Sequence, residues 1–177
     1  LIGRHSVHTV LRAATVGLVE GLSWQEIIAG LQHGNAQLRL AAVHTPSGAL
    51  ILDDTYNASP DSVMAGLNLL DELQGEKWAV LGDMLELGIY EEQGHELVGV
   101  RVAQIVKQLV TVGDKARIIA KAARRSGLSE RNITSVESVD EAIDFLKGKL
   151  KNDDVVLIKG SHGLHMERIV YALEVDR

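Results

Sequence analysis

Residues 50–60 read Leu-Ile-Leu-Asp-Asp-Thr-Tyr-Asn-Ala-Ser-Pro, an apolar run that ends in two carboxylates, an aromatic ring and an amide. A short apolar run of this kind predicts a buried strand. In open α/β sheets, ligands bind outside the carboxyl ends of the strands. A simple turn would need only one Asp or Asn with a Gly. The crowded polar groups therefore predict a ligand site.

Helical and strand-like segments alternate along the chain on either side of this stretch. The predicted helices span 7–20, 23–31, 60–73, 91–108, 115–126, 140–150 and 164–173. The predicted strands span 38–44, 49–52, 78–81, 109–112, 133–136 and 155–158, the first two joined as a hairpin. Ser23 with Glu26 forms a predicted capping box, and Ser138 is a predicted cap. This alternation predicts an α/β fold with a mostly parallel sheet and helices on both faces.

A polar linker at 33–37 predicts a domain boundary, so that a helical segment, residues 1–36, precedes an α/β domain, residues 37–177. The chain begins with Leu1 rather than Met, and we expect it to be a fragment of a longer protein.

Composition argues against several classes of function. The 177 residues include no cysteine, which excludes disulfides and thiolate metal sites and fits a reducing compartment. A net charge of −6 argues against nucleic acid and anionic membranes as partners. No apolar run approaches the ~20 residues that span a bilayer. No histidine pair has H-E-x-x-H spacing and no carboxylate completes a metal set, so we predict no metal site in this chain. The alternative is a metal bound by His5 and His8, three residues apart at a helix start, where hydrogen bonding at the helix end is favoured.

The loops that follow four predicted strands share one edge of a parallel sheet, and each carries polar residues or glycine. They are 53–57, 82–84, 113–115 and 159–163. Asp53 and Asp54 are neighbours on an extended segment and point to opposite faces, so they are not predicted to act as a catalytic acid/base pair. One would face a ligand, such as a ribose hydroxyl, and the other would cap backbone N–H groups or pair with a base. Asn57 has an equal alternative as the cap of the following helix.

Lys159, Gly160 and Ser161 follow an apolar strand and precede a helix, which predicts an anion site. The alternative for Lys159 is a solvated surface lysine. No Walker A motif occurs in the chain, so no triphosphate site of that type is predicted within it.

Three ordered motifs resemble the C-terminal half of the Mur ligase family: 53–60, 82–88 followed by His95, and 159–161. The Tyr-Asn-Ala form of the first motif and the Gly-Asp-Met-x-Glu-Leu-Gly loop favour the branch that adds D-alanyl-D-alanine to UDP-N-acetylmuramoyl-tripeptide. The resemblance implies a cytoplasmic, ATP-dependent ligase of peptidoglycan synthesis that works through an acyl phosphate and is a monomer when full-length. Residues 1–36 would be the last helices of the family's central domain, which binds most of the ATP and Mg²⁺. Residues 37–177 would be its Rossmann-like C-terminal domain. The whole chain would be inactive alone, because it lacks the P-loop.

The resemblance also implies roles for individual nucleotide-site residues. Asp54 resembles the aspartate that holds the ATP ribose, and Arg39 resembles the arginine that reaches the phosphates. Tyr56 and Asn57 would line the same cleft. Ser6 and Thr9 stand where the family has asparagines that contact adenine; their hydroxyls can hydrogen-bond a base but cannot make a bidentate amide contact.

On the substrate side, Lys159 and Ser161 resemble the Lys-Gly-Ser turn near the incoming dipeptide, and His162 replaces the arginine that follows it in the family. Two alternatives stay open. The chain could be a stand-alone α/β module that binds a nucleotide or a small anion without catalysis. It could also be a non-catalytic interaction domain with a decayed site, which the replaced asparagines favour.

Overall fold

The structure is a computed structural model and describes residues 6–33 and 40–175. The chain divides into two compact units, Leu1–Arg39 and Leu40–Arg177. The predicted boundary between residues 36 and 37, and most of the predicted linker, lie outside the described residues. The division into a central-domain segment and a C-terminal domain therefore stays a prediction.

The first unit contains two helices, α1 (Ser6–Val19) and α2 (Trp24–His33). The predicted capping box at the start of α2 is confirmed. The backbone N–H of Ser23 donates to Glu26 Oε2 at 2.8 Å, and the N–H of Glu26 donates to Ser23 Oγ at 3.3 Å. These two bonds satisfy N–H groups that a helix start leaves without a partner, which fixes where α2 begins.

The second unit is a six-stranded sheet in the order β1-β2-β6-β3-β4-β5. Its strands are β1 (Ala41–His44), β2 (Leu50–Asp53), β3 (Glu76–Gly82), β4 (Gln108–Val112), β5 (Ile133–Val136) and β6 (Asp154–Lys159). Its helices are α3 (Pro60–Glu72), α4 (Glu91–Ala103), α5 (Ala116–Arg125), α6 (Val139–Leu146) and α7 (Glu167–Val175). Among the strands that the structure describes, β1 alone pairs antiparallel, in the predicted hairpin with β2. The predicted fold class is confirmed.

Helices cover both faces of this sheet. On one face, apolar residues of α3, α4 and α5 pack on the sheet, with Leu67, Val98 and Ile119 fully buried. On the other face, α6 and α7 pack on the sheet through residues such as Leu146 and Ile169. All six residues of β6 are buried, because this strand lies inside the sheet and contributes alternate side chains to both cores.

Three predicted helix limits are wrong by about three residues or more. The helix predicted to Gln108 ends at Ala103, and Gln108 begins β4. The helix predicted to Leu150 ends at Leu146, and Gly148 follows with a φ of +69°, a left-handed conformation that favours glycine and ends helices. The last helix begins at Glu167, because residues 162–164 form a separate 3₁₀ turn. The cap at Ser138 is confirmed, since its side chain accepts from the N–H of Glu141.

Candidate functional site

The carboxyl end of β6 lies at a topological switch point, where the loops after neighbouring parallel strands lead to opposite faces of the sheet. The loops after its two neighbours, β2 and β3, lead to α3 and α4 on one face. The loop after β6 leads to α7 on the opposite face. Loops that separate in this way leave a crevice at the strand ends, which is where open α/β sheets bind ligands. The segments predicted from the sequence at 53–57, 82–84 and 159–163 each consist of the last residue of one of these strands and the loop that follows it.

The two adjacent aspartates after β2 have different partners. Asp53 Oδ1 accepts hydrogen bonds from the backbone N–H and the hydroxyl of Thr55, at 3.1 and 2.7 Å, so Asp53 closes the turn. Asp54 Oδ2 instead forms an ion pair with Lys159 Nζ at 2.7 Å. The structure thus gives the two carboxylates separate tasks, as expected for neighbours on an extended segment.

Lys159 is buried rather than solvated. Its side chain is 2% exposed, and that of Asp54 is 13% exposed. Besides the ion pair, Lys159 Nζ donates to the carbonyl oxygens of Asn57 at 2.7 Å and of Asp54 at 3.4 Å. The alternative of a solvated surface lysine is therefore wrong, because the ammonium group lies under the 53–57 loop.

Asn57 does not cap α3. Its Oδ1 accepts from the N–H of Ala58 at 2.8 Å. The cap is Ser59, which forms a capping box with Ser62, and Pro60 occupies the first turn. The alternative for Asn57 as helix cap is wrong, and its side chain lies exposed beside the crevice.

Two predicted residues from distant parts of the sequence come together on the surface of the crevice. Tyr56 is 51% exposed, and its ring centroid lies 6.0 Å from that of His162, which is also exposed. His165 continues the row, with its ring centroid 5.8 Å from that of His162. The result is a row of three rings, from Tyr56 to His165, beside the buried ion pair.

Ser161 is buried and joins the β6 loop to the loop after β3. Its backbone N–H donates to the carbonyl of Asp83 at 3.0 Å, and its Oγ accepts from the N–H of Leu85 at 2.8 Å. Gly82 and Gly160 allow this close approach. A Cβ added at Gly160 would lie 3.2 Å from the Cα of Gly82 and 2.9 Å from Met166 Cγ.

Two polar residues, one in α4 and one in the loop after β3, have roles that could not be predicted from the sequence. His95 is fully buried; its Nε2 accepts from the N–H of Met84 at 3.1 Å, and its Nδ1 lies 2.7 Å from the carbonyl oxygen of Glu91. A backbone N–H can only donate, so the ring proton belongs on Nδ1. The motif spacing between residues 82 and 95 was visible in the sequence, but this bond is formed only by folding.

Asp83 is the second of these residues. Its Oδ1 accepts from the N–H of Ala116 at 2.7 Å, at the start of α5. Burial raises the pKa of the Asp83 carboxyl, and the Ala116 hydrogen bond partly opposes this effect. Gly113 has a φ of +101°, and an added Cβ would lie 2.6 Å from Asp83 Oδ1, so glycine is required there. Asp83 thus links the loops after β3 and β4.

Three predicted nucleotide-site residues are not characterised by these contacts. Arg39 lies outside the described residues. The backbone of Ser6 and of Thr9 is part of α1, but the side chains of these two residues are outside the described part of the structure. Within the described residues, no group of three or more His, Asp or Glu side chains could hold a metal ion. Among the same residues, no helix is both long and apolar enough to cross a membrane.

Comparison with known proteins finds Mur ligases that match most of the chain. The profile described as "Mur ligase, glutamate ligase domain" matches residues 38–162. The UDP-N-acetylmuramoyl-tripeptide–D-alanyl-D-alanine ligase of Bacillus subtilis is 32% identical over 174 residues, which cover 96% of this chain and 38% of the relative. This chain therefore spans about two fifths of that relative's length.

Solved structures agree with the sequence matches. A crystal structure of MurF from Acinetobacter baumannii superposes with a TM-score of 0.83 at 29% identity, covering 98% of this chain and 38% of that one. The MurF ligase of Thermotoga maritima in complex with ADP has a TM-score of 0.65 at 28% identity, covering 78% and 30%. The sequence profile covers more than half of the chain, and the order of the motif loops agrees with it. The chain belongs to the Mur ligase family.

Proposed function

We propose that this chain is the C-terminal portion of a cytoplasmic, ATP-dependent ligase that joins D-alanyl-D-alanine to UDP-N-acetylmuramoyl-tripeptide in peptidoglycan synthesis. The observation that carries the proposal is the likeness to a ligase of that name along 96% of the chain. In this proposal residues 1–36 end the central domain, residues 37–177 form the C-terminal domain, and the full-length enzyme is a monomer.

The crevice residues fit one side of a nucleotide site. Asp54 would accept a hydrogen bond from a ribose hydroxyl, because its partly exposed carboxylate stands at the carboxyl end of β2. Tyr56 and Asn57 would line the cleft beside it, since both are exposed there. The ADP bound by the related Thermotoga maritima enzyme supports a nucleotide as the ligand.

The triphosphate and Mg²⁺ are assigned to the parts of the enzyme outside this chain. The sequence contains no Walker A motif, and Mg²⁺ is usually held by carboxylates together with substrate phosphates. ATP supplies the phosphoryl group that turns the tripeptide carboxylate into an acyl phosphate. The dipeptide amine then attacks the carbonyl carbon; a C–N bond forms, the C–O bond to phosphate breaks, and the amine loses a proton. Such chemistry depends mainly on positioning, which is the contribution proposed for this chain.

The proposal is tested by amide formation in the complete polypeptide. With ATP, Mg²⁺, the UDP-linked tripeptide and D-alanyl-D-alanine, the complete enzyme is expected to release ADP, phosphate and the extended peptide. The present chain alone is expected to show no turnover. A complete enzyme that fails to ligate this pair would contradict the proposal. Low-micromolar binding of ATP to this chain alone, by calorimetry, would favour the stand-alone module instead.

The role of Asp54 is tested in the same assay. Asp54→Ala is expected to raise the KM for ATP by about tenfold, the loss of one charge-assisted hydrogen bond, and to change the tripeptide KM much less. Asp144→Ala removes an exposed carboxylate from α6, on the opposite face of the sheet, and serves as the matched control. An unchanged KM for ATP in Asp54→Ala would show that Asp54 does not contact the ribose.

A further inference from the structure

The turn after β6 contacts the loops on both of its sides. Lys159 contacts the loop after β2, and Ser161 contacts the loop after β3. Because β6 lies between these two strands, its turn is the structural link between the two halves of the crevice. The family resemblance instead implies that Lys159 lies near the incoming dipeptide.

The contacts of Lys159 leave little capacity for a substrate. An ammonium group has three N–H donors. Three oxygen acceptors of the described residues lie within 3.4 Å of Lys159 Nζ, which are Asp54 Oδ2 and the carbonyl oxygens of Asp54 and Asn57. A bound carboxylate or phosphate would have to displace one of these partners. It would also have to reach a side chain that is only 2% exposed.

These contacts also fix the loop that carries the proposed nucleotide residues. Lys159 Nζ holds one point on the side chain of Asp54 and two points on the backbone at Asp54 and Asn57. Tyr56 lies between those two backbone points. The loop is therefore held in place by a residue that lies 105 positions after Asp54 and 102 positions after Asn57 in the sequence.

We propose that Lys159 is a positioning residue for the 53–57 loop, and that it acts on nucleotide binding through Asp54 rather than by contact with the dipeptide. The proposal rests on the proposed function, since it assumes that Asp54 faces ATP. In this proposal Lys159 supports the nucleotide-binding side of the crevice and does not contact the dipeptide.

The test measures three KM values and kcat in the complete enzyme for Lys159→Met. We expect the KM for ATP to rise by between about tenfold and a hundredfold, as for a misplaced binding group, while the dipeptide KM changes less than about twofold. The matched control is Lys107→Met, which removes an exposed lysine paired with Glu76 at the other end of the sheet. The control is expected to leave all three KM values unchanged.

Two results would overturn the proposal. A rise in the dipeptide KM with an unchanged KM for ATP would make Lys159 a substrate contact, and no change in any KM would leave it without a positioning role. If Lys159→Met does not fold, Lys159→Gln replaces it, because the glutamine amide keeps two N–H donors for the loop. The KM for ATP is again expected to rise more than the dipeptide KM, and the same two results would overturn the proposal. Absence of ligation in the wild-type enzyme would instead contradict the proposed function.

Discussion

Two lysine–carboxylate ion pairs stand at opposite ends of the same sheet. At the carboxyl end, Lys159 and Asp54 have side chains 2% and 13% exposed. At the amino end, Lys107 and Glu76 have side chains 57% and 50% exposed. The functional groups are the same in kind, but only the first pair is removed from water and contacts backbone carbonyls as well.

The difference in burial predicts a difference in energy. Exposed pairs contribute about 0–1 kcal/mol, because water screens the charges and the long side chains lose entropy. Removing one partner of a buried pair costs about 3–5 kcal/mol, because the remaining charge is left without compensation. The comparison indicates that the contribution of an ion pair to the free energy of unfolding of this domain depends on its burial. Of these two pairs, the one at the crevice contributes more.

The largest effect is expected for Lys159→Met. The chain should lose about 3 kcal/mol of its free energy of unfolding, near the lower end of the range for buried pairs, because Asp54 keeps some contact with water. Urea unfolding of the present chain measures this change. A loss below about 1 kcal/mol would mean that the Lys159–Asp54 pair contributes no more than an exposed pair, which would contradict the predicted effect of burial.

A smaller effect is expected for His95→Leu, which extends the comparison to a buried group that acts through hydrogen bonds. The substitution leaves the N–H of Met84 and the carbonyl of Glu91 without their His95 partner, at a cost of about 2 kcal/mol. His44→Leu changes an exposed histidine on β1 and is the control. Equal stability losses in the two variants, measured by urea unfolding, would contradict the role assigned to His95.

Asp83 extends the comparison of buried and exposed charged groups to a carboxylate that accepts a hydrogen bond from a backbone N–H at the edge of the crevice. Burial raises its pKa in the folded chain above the ordinary value of 3.8, so the folded state binds the proton more tightly than the unfolded state. This group therefore favours folding below pH 3.8, and its contribution is lost as the pH rises through the raised pKa.

Asp83→Asn removes the titration and keeps an oxygen acceptor for the N–H of Ala116. The stability of the wild type relative to Asp83→Asn is expected to increase as the pH falls from neutral towards 4. Urea unfolding of both proteins across that range measures the difference. A relative stability that increases with rising pH would mean that the pKa is lowered, contrary to the effect of burial.

The smallest effect is expected for Lys107→Met. Its free energy of unfolding should stay within about 0.5 kcal/mol of the wild type, because the pair with Glu76 is exposed to water. Urea unfolding in low and high salt checks this value. A loss as large as that of Lys159→Met would show that burial does not separate the two pairs.

Much of the fold could be predicted from local patterns, but helix ends that depend on distant contacts could not. Helix α4 stops at Ala103 although Ile105 and Val106 continue the apolar pattern. Beyond it, the N–H of Lys107 bonds the carbonyl of Lys77 in β3, a contact that no local pattern records. The end of α6 did have a local signal, Gly148, which the prediction passed over.

The candidate site divides in the same way. The loops at the carboxyl edge could be predicted, because polar residues directly follow apolar strands in the sequence. The direction of the Lys159 side chain could not, because β6 comes late in the chain yet lies beside β2. Helix-start patterns suggested an anion site there, whereas strand order brings the ammonium group to Asp54.

The most direct test of the account is a pair of double-mutant cycles on the present chain, read by urea unfolding. One cycle combines Lys159→Met with Asp54→Asn, and the other combines Lys107→Met with Glu76→Gln. The account predicts a coupling of about 2 kcal/mol or more for the buried pair and less than about 0.5 kcal/mol for the exposed pair. Couplings of equal size would contradict the claim that the Lys159–Asp54 pair holds the crevice loop in place.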